Sequence, residues 1–228
     1  MKQLINIFTI SLGLFAMKTQ AQTVPLSQHL PGRFGFGVRN DINFFAFNHA
    51  FGLGQGGHIK LGFSKRVNTE WFGDHISSNI GTNGYRHDWH IGWAVQFAIP
   101  SAGFVEGKVT PFFAGGQCFD QSTVGMRAAT IGENVQVLPK EITIGSLPRG
   151  NAATHIGIGA MYFATNDFEL NTQLLYMVHL QKDLEVDLDG KTVIGIHESE
   201  GFNLEGHVLL TFSASYYFIN LWHNKKKN

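Results

Sequence analysis

The chain has 228 residues, with 17 Lys and Arg against 17 Asp and Glu, so its zero formal charge gives no electrostatic argument for a nucleic-acid partner. A single cysteine excludes a disulfide framework, and only 15 % of the residues are charged. The 27 glycines are well above the usual share of about 7 %, and the length fits one all-β domain.

Lys2, an apolar run from Leu4 to Ala16 and the small residues Thr19 and Ala21 read as a signal peptide over 1–21, cleaved after Ala21, with one domain over 22–228. The apolar run is shorter than the roughly 20 residues a membrane helix needs, and no later stretch approaches that length. Helical spans are therefore excluded. The only cysteine is Cys118, far from the cleavage point, so a lipoprotein anchor is not expected.

The strands are read by parity, because successive side chains point to opposite faces. Over 33–47 the even positions carry Phe34, Phe36, Val38, Ile42 and Phe44, while the odd ones carry Arg33, Gly35, Gly37, Arg39, Asp41 and Asn43. Over 57–65, Ile59, Leu61 and Phe63 share a face. The stretch 69–76 mixes its signals, since Phe72 and Ile76 share parity with Glu70 and Asp74; the two carboxylates are assigned inward. The clearest strand covers 85–99, with Tyr85, His87, Trp89, Ile91, Trp93, Val95 and Phe97 against Arg86, Asp88, His90 and Gln96. Further strands are predicted over 107–118, 152–163, 168–180 and 202–218.

Connections alternate in length. Short turns fall at 66–68, 100–106 and 164–167, and longer loops at 48–56, 77–84, 119–151 and 181–201. The third long loop suggests a small hairpin around 135–144. The fourth prolongs its strand, since Leu184, Val186 and Leu188 keep outward parity before an Asp189-Gly190 turn.

The long alternating strands, the glycine-rich first strand over 32–47, the stretch Tyr85-Arg86-His87-Asp88-Trp89-His90-Ile91-Gly92-Trp93 and the closing Tyr216, Tyr217 and Phe218 resemble the small outer-membrane β-barrels, of which the OmpA-type membrane domain is the familiar member. The resemblance covers the whole of 22–228. It departs from the family at the end, where the chain continues through Trp222 to Lys225, Lys226, Lys227 and Asn228. It implies an all-β fold: a single antiparallel up-and-down transmembrane β-barrel of about eight strands in the outer membrane of a Gram-negative bacterium. The implied surroundings are outer-membrane lipid, lipopolysaccharide and the barrel assembly machinery, with a monomeric protein and no cofactor. A soluble sandwich or lipocalin-like barrel also alternates, but its strands are shorter and its apolar face points inward.

A barrel of this size is filled by its own side chains. Arg39, Asp41, Lys60, Glu70, Arg86, Asp88, His90, Lys108, Glu169 and Glu205 are read as inward, and charges in a narrow lumen must pair. His58, His90, His155, His179 and His207 are read as inward in the extracellular half, level with Asp41, Asp74, Asp88, Cys118 and Asp120. His155, His179 and His207, on consecutive strands, are the candidate ligands for a zinc, copper or nickel site, against a hydrogen-bonded crown. No local spacing motif supports the metal.

His75-Ile76-Ser77-Ser78-Asn79 resembles the His-x-Ser-Asn stretch of outer-membrane lipid A deacylases, which would make Glu70 the orienting carboxylate. The match is partial, because Ser78 intervenes before Asn79. Gly52-Leu53-Gly54 and Gly157-Ile158-Gly159 precede no helix and are read as packing and turns. The favoured function is a non-enzymatic barrel with a closed lumen and loops for envelope or external contacts. The alternatives are a deacylase-like lipid-modifying enzyme and a narrow small-solute channel.

Overall fold

The computed structural model describes residues 31–45, 51–126, 146–180, 184–198 and 206–222. The region assigned to a signal peptide, the suggested hairpin over 135–144, and Glu205 lie outside these residues. Ten strands form in chain order: β1 (Arg33–Phe45), β2 (Phe51–Gly62), β3 (Val67–Ile80), β4 (Gly84–Ala98), β5 (Val109–Met126), β6 (Ser146–Phe163), β7 (Phe168–His179), β8 (Leu184–Asp189), β9 (Thr192–Glu198) and β10 (Gly206–Asn220). Eight of them close into a barrel in the order β1-β10-β7-β6-β5-β4-β3-β2, every pair antiparallel, while β8 and β9 form a separate two-stranded sheet. Closure pairs every strand edge with a neighbour, which lipid requires of any sheet that crosses it.

The register fixes the tilt. Following cross-strand partners around the barrel leads from Phe34 through Leu61, Thr69, Val95, Gly115, Ile156, Tyr176 and Val208 back to Phe44, ten residues further along the same strand. A stagger of that size tilts the strands by roughly 40°. It also means that residues level with one another are not those paired in register, which decides the contacts in the lumen.

The wall is inverted relative to a soluble protein. Phe36, Val38, Ile59, Trp71, Trp89, Ile91, Trp93, Phe113, Ile156, Leu174, Phe212 and Phe218 are exposed, while Arg39, Asp41, Lys60, Glu70, Asp88 and Glu169 are buried. The mixed signal of β3 resolves with Glu70, Phe72, Asp74 and Ile76 all inside. Trp93, exposed on β4 opposite Trp71 and Gln117, lies near mid-wall. Trp93→Arg is expected to cost about 2–4 kcal/mol in lipid, measured as a shift in urea-dependent folding into vesicles; unchanged folding would mean that the face is misassigned.

The strands run further than the alternation indicates. β2 begins at Phe51, inside the predicted loop 48–56; β3 continues to Ile80, leaving a turn of Gly81, Thr82 and Asn83; β5 reaches Met126, and β6 starts at Ser146. Outward positions there are Ser77, Asn79, Gln121, Thr123, Ser146 and Pro148. Beyond the apolar band nothing demands an apolar outer face, so the ladder persists after the pattern has faded.

The lumen is only half polar. Phe72, Ile76, Phe112, Ala114, Cys118, Met161, Leu175, Met177 and Leu209 are buried in one cluster, in place of the wholly polar filling that parity suggested. At the lower rim, where β1 starts and β10 ends, the turn between β4 and β5 folds inward. Gly103 has φ +76°, and a Cβ there would stand 2.0 Å from the Lys65 carbonyl oxygen, so the turn needs glycine. Phe104 is thereby inserted under the barrel, with ring centroids 6.4 Å from both Phe112 and Phe163. Lys108, predicted inward, lies in this turn before β5 begins and is exposed.

The upper rim is covered by the β8–β9 hairpin, correcting the expectation that it prolongs a wall strand with Leu184 outward. Leu184, Val193 and Ile196 are buried against Ile80 and Val124. Thr82 N donates to Lys191 O at 2.7 Å, and Asn83 exchanges two hydrogen bonds with the Val193 backbone, 2.8 and 3.1 Å. With no lipid to satisfy outside the membrane, Leu184 buries its side chain over the barrel mouth.

Candidate functional site

The inward polar residues form three connected layers. In the lowest, Lys60 on β2 is ion-paired with Glu169 on β7. Glu169 also accepts a hydrogen bond from the Tyr217 hydroxyl at 2.6 Å, and that hydroxyl accepts one from Asn68 Nδ2 at 3.3 Å. Below them, Arg33 pairs with Asp167 and lies 5.4 Å from the Tyr217 ring centre.

The middle layer centres on Glu70, which is 0 % exposed. One carboxylate oxygen accepts from Arg39 Nη1 at 2.8 Å, and the other from Gln96 Nε2 at 2.6 Å and Gln173 Nε2 at 3.0 Å. Arg39 also faces Asp74 at 3.2 Å and Asp41 at 3.7 Å, and its guanidinium lies 4.2 Å from the Phe72 ring centre. Thr211 donates to Asp41 at 2.6 Å. Five strands thus converge on one charge pair.

His58 belongs to this layer and not to the mouth. Its Nε2 is 2.7 Å from Ser215 Oγ and its Nδ1 is 3.5 Å from Glu70. Serine, histidine and carboxylate stand in the order of a hydrolytic triad. Ser215 is only 1 % exposed, however, and Glu70 is already held by three other donors, so the order is structural.

In the upper layer Arg86 Nε donates to Asp88 at 2.8 Å, and Ser122 donates to the same carboxylate oxygen at 2.5 Å. Beside them His179 is 2.7 Å and His90 3.5 Å from Asp120. His207 stacks on His90 at 5.7 Å and lies 5.1 Å from His179. His155, proposed with His179 and His207 as a metal ligand, instead packs its ring at 5.7 Å from that of Phe72. Among the described residues no group of three or more His, Cys, Asp or Glu side chains is gathered as a metal centre. The imidazoles that do meet are His90, His179 and His207, around a carboxylate, Asp120, outside the proposed ligand set.

The closed eight-stranded ring, its tilt and its inverted wall can be compared with known structures. No family model and no curated protein matches the chain. The N-terminal β-barrel domain of Pseudomonas aeruginosa OprF is similar at 10 % identity with a TM-score of 0.50, over 82 % of this chain and 98 % of that one. A major outer membrane protein of Thermus thermophilus gives 0.49 at 14 % identity, over 81 % and 99 %. The fold is that of the small outer-membrane β-barrels.

For a barrel of this type the outer wall is as much a site as the lumen. Ser77, on the outward face of β3, is hydrogen-bonded to His87 Nδ1 across to β4 at 2.9 Å. His75 stacks on His87 at 5.6 Å and lies 4.6 Å from Trp89. The deacylase-like arrangement required Glu70 beside His75. The two side chains point to opposite faces of β3, and Glu70 is enclosed in the lumen, so that constellation does not assemble.

Sequence reading did not single out Gln96, Gln173, Asn68, Tyr217, Ser122 or Thr211 for the polar network. The inward parity of Gln96, Gln173, Thr211 and Tyr217 was visible and only their level was missing, whereas Asn68 and Ser122 fell in a predicted turn and a predicted loop, where no parity could be read.

Proposed function

We propose that the chain is an outer-membrane barrel with an occluded lumen, acting through its extracellular face toward envelope components or external partners, without carrying solutes and without chemistry in its interior. The observation that carries this reading is the filled interior, where Arg39, Glu70, Lys60 and Glu169 are all 2 % exposed or less. Phe104 closes the lower rim and the β8–β9 hairpin the upper. Arg33 and Asn220 share a rim with the connections 63–66, 99–108 and 164–167, whereas the longest connection, between β5 and β6, and the hairpin belong to the other rim, which supports a periplasmic lower rim and an extracellular hairpin. An export signal, a monomeric state, and residence among lipopolysaccharide after delivery by the assembly machinery belong to the same reading.

Reconstitution tests it. Protein folded in detergent should show heat-modifiable migration and mostly β circular dichroism, and in planar bilayers it should give no steady conductance above the lipid background. A soluble monomer obtained without detergent would overturn the membrane assignment. A stable, ion-selective conductance would overturn the occluded lumen and favour the small-solute conduit.

A further inference from the structure

Three side chains on consecutive wall strands, in the apolar half of the lumen, take no part in the polar layers. Cys118 on β5 and Met177 on β7 are 4 % and 0 % exposed, and Cys118 Sγ donates to Met177 Sδ at 3.7 Å. His155 on β6 stands between them. It pairs in register with Met177 on one side and with Gly116 on the other, and Gly116 is the inward residue next below Cys118 on β5. Because that glycine leaves the space open, the imidazole leans over β5, and its Nε2 lies 2.9 Å from where a Gly116 Cβ would be. The tip of the ring is thereby directed beneath the two sulfurs.

His155 is buried, and neither ring nitrogen has a hydrogen-bond partner among the described residues. The Phe72 ring, 5.7 Å away, offers no polar atom to either. A buried imidazole without partners is costly, and a metal ion satisfies it by taking one nitrogen lone pair. The sulfur pair has the spacing for the same ion: bonds of about 2.3 Å place two sulfurs on one metal roughly 3.7–4.0 Å apart at trigonal to tetrahedral angles.

The surroundings select the ion. Cys118 and Met177 belong to the apolar cluster with Phe72, Ile76, Ala153 and Leu209, which supplies neither water nor counter-charge. A thiolate with a monovalent cation is neutral overall, whereas a divalent ion on one thiolate leaves a net charge in a medium that penalises it. Thiolate and thioether sulfurs favour Cu(I), and imidazole suits copper as a third ligand. We propose that Cys118, Met177 and His155 bind one Cu(I) ion in the lumen through thiolate, thioether and imidazole. The thiol releases its proton to solvent as the copper–sulfur bond forms, and copper keeps the +1 state in which it arrives. The site goes beyond the function proposed above and needs only the closed barrel: the ion is resident, not a solute in transit.

The test uses the full barrel refolded anaerobically from urea into detergent micelles, with Cu(I) supplied as its bicinchoninate complex so that loss of colour reports affinity. Wild type is expected to carry one copper per barrel through gel filtration, and its X-ray absorption spectrum to show two sulfurs and one nitrogen around the ion. Cys118→Ala, Met177→Leu and His155→Phe should each weaken binding about a hundredfold or more, since even the outer contacts of a metal site are worth ten- to a hundredfold. Met177→Leu conserves core volume, and folding of every variant is verified by heat-modifiable migration. His179→Gln, in the layer around Asp120, should bind like wild type, and Zn(II) or Ni(II) at equal concentration should not displace the copper.

A folded wild-type barrel that leaves the column without copper, or a spectrum with no copper–sulfur shell, would overturn the site without recourse to any variant. Equal affinity in wild type and the three variants would overturn the ligand set. A loss with His179→Gln as large as with Met177→Leu would overturn it in favour of the Asp120 layer, and displacement by Zn(II) would overturn the monovalent assignment.

Discussion

Replacing Glu70 with Ala is expected to destabilise the folded barrel by about 3–5 kcal/mol, the usual result of removing one partner of a buried ion pair. Glu70 is 0 % exposed and receives hydrogen bonds from Arg39, Gln96 and Gln173 at 2.6–3.0 Å. Its loss leaves two amide donors unmet and reduces the offset to Arg39 to the carboxylates at 3.2 and 3.7 Å. The measurement is urea-dependent unfolding from lipid vesicles. The Glu70→Ala, Arg39→Met double variant separates the causes, since it removes the under-compensated cation and should recover part of the loss. If the two single costs simply add, the pair is not the unit the geometry describes, and a loss below about 1 kcal/mol would place Glu70 in contact with water.

Phe104→Ala should produce an effect of similar size by a different route. The ring is 0 % exposed and packs between Phe112 and Phe163 at the lower rim. Truncation of a buried phenylalanine costs about 3–5 kcal/mol, part of it from the cavity left behind. Here the cavity would open toward the rim, so water can relax it and the lower end of that range is expected. The same vesicle unfolding assay measures the loss, and cysteine labelling adds an independent reading. Cys118 is 4 % exposed and shares the apolar cluster with Phe104, so its reaction with a small thiol reagent should quicken in the variant. Unchanged stability together with unchanged labelling would show that Phe104 does not seal the barrel.

Both residues show how far local reasoning reaches. Glu70 was assigned inside from the two-residue period of its strand although Phe72 and Ile76 share its parity, and it is buried. Its partners were not legible, because Arg39, Gln96 and Gln173 come from three other strands and meet only through the stagger of the closed sheet. Phe104 gave no strand signal at all. It lies in a turn, where an aromatic residue has no parity to read, and its burial depends on the Gly103 backbone and on the space left beneath Phe112 and Phe163.

The histidines make the same point in the opposite direction. Their inward parity was readable, but their heights were inferred from strand ends that the structure moves. His58 falls to the Glu70 layer and His155 to the Phe72 side, leaving His90, His179 and His207 around Asp120.

By itself the sequence determined the fold class and, for most wall strands, which side meets lipid, because lipid on one face and a narrow interior on the other impose a two-residue period; over 69–76 that period was mixed, and beyond the apolar band it faded. Only the tertiary structure decided which inward charges pair, that half of the lumen is apolar, and that the β8–β9 hairpin turns over the mouth. The physical reason is that level within a tilted barrel depends on the stagger summed over all eight strands. Beyond the membrane no lipid enforces a face, so Leu184 was free to bury itself where packing was best.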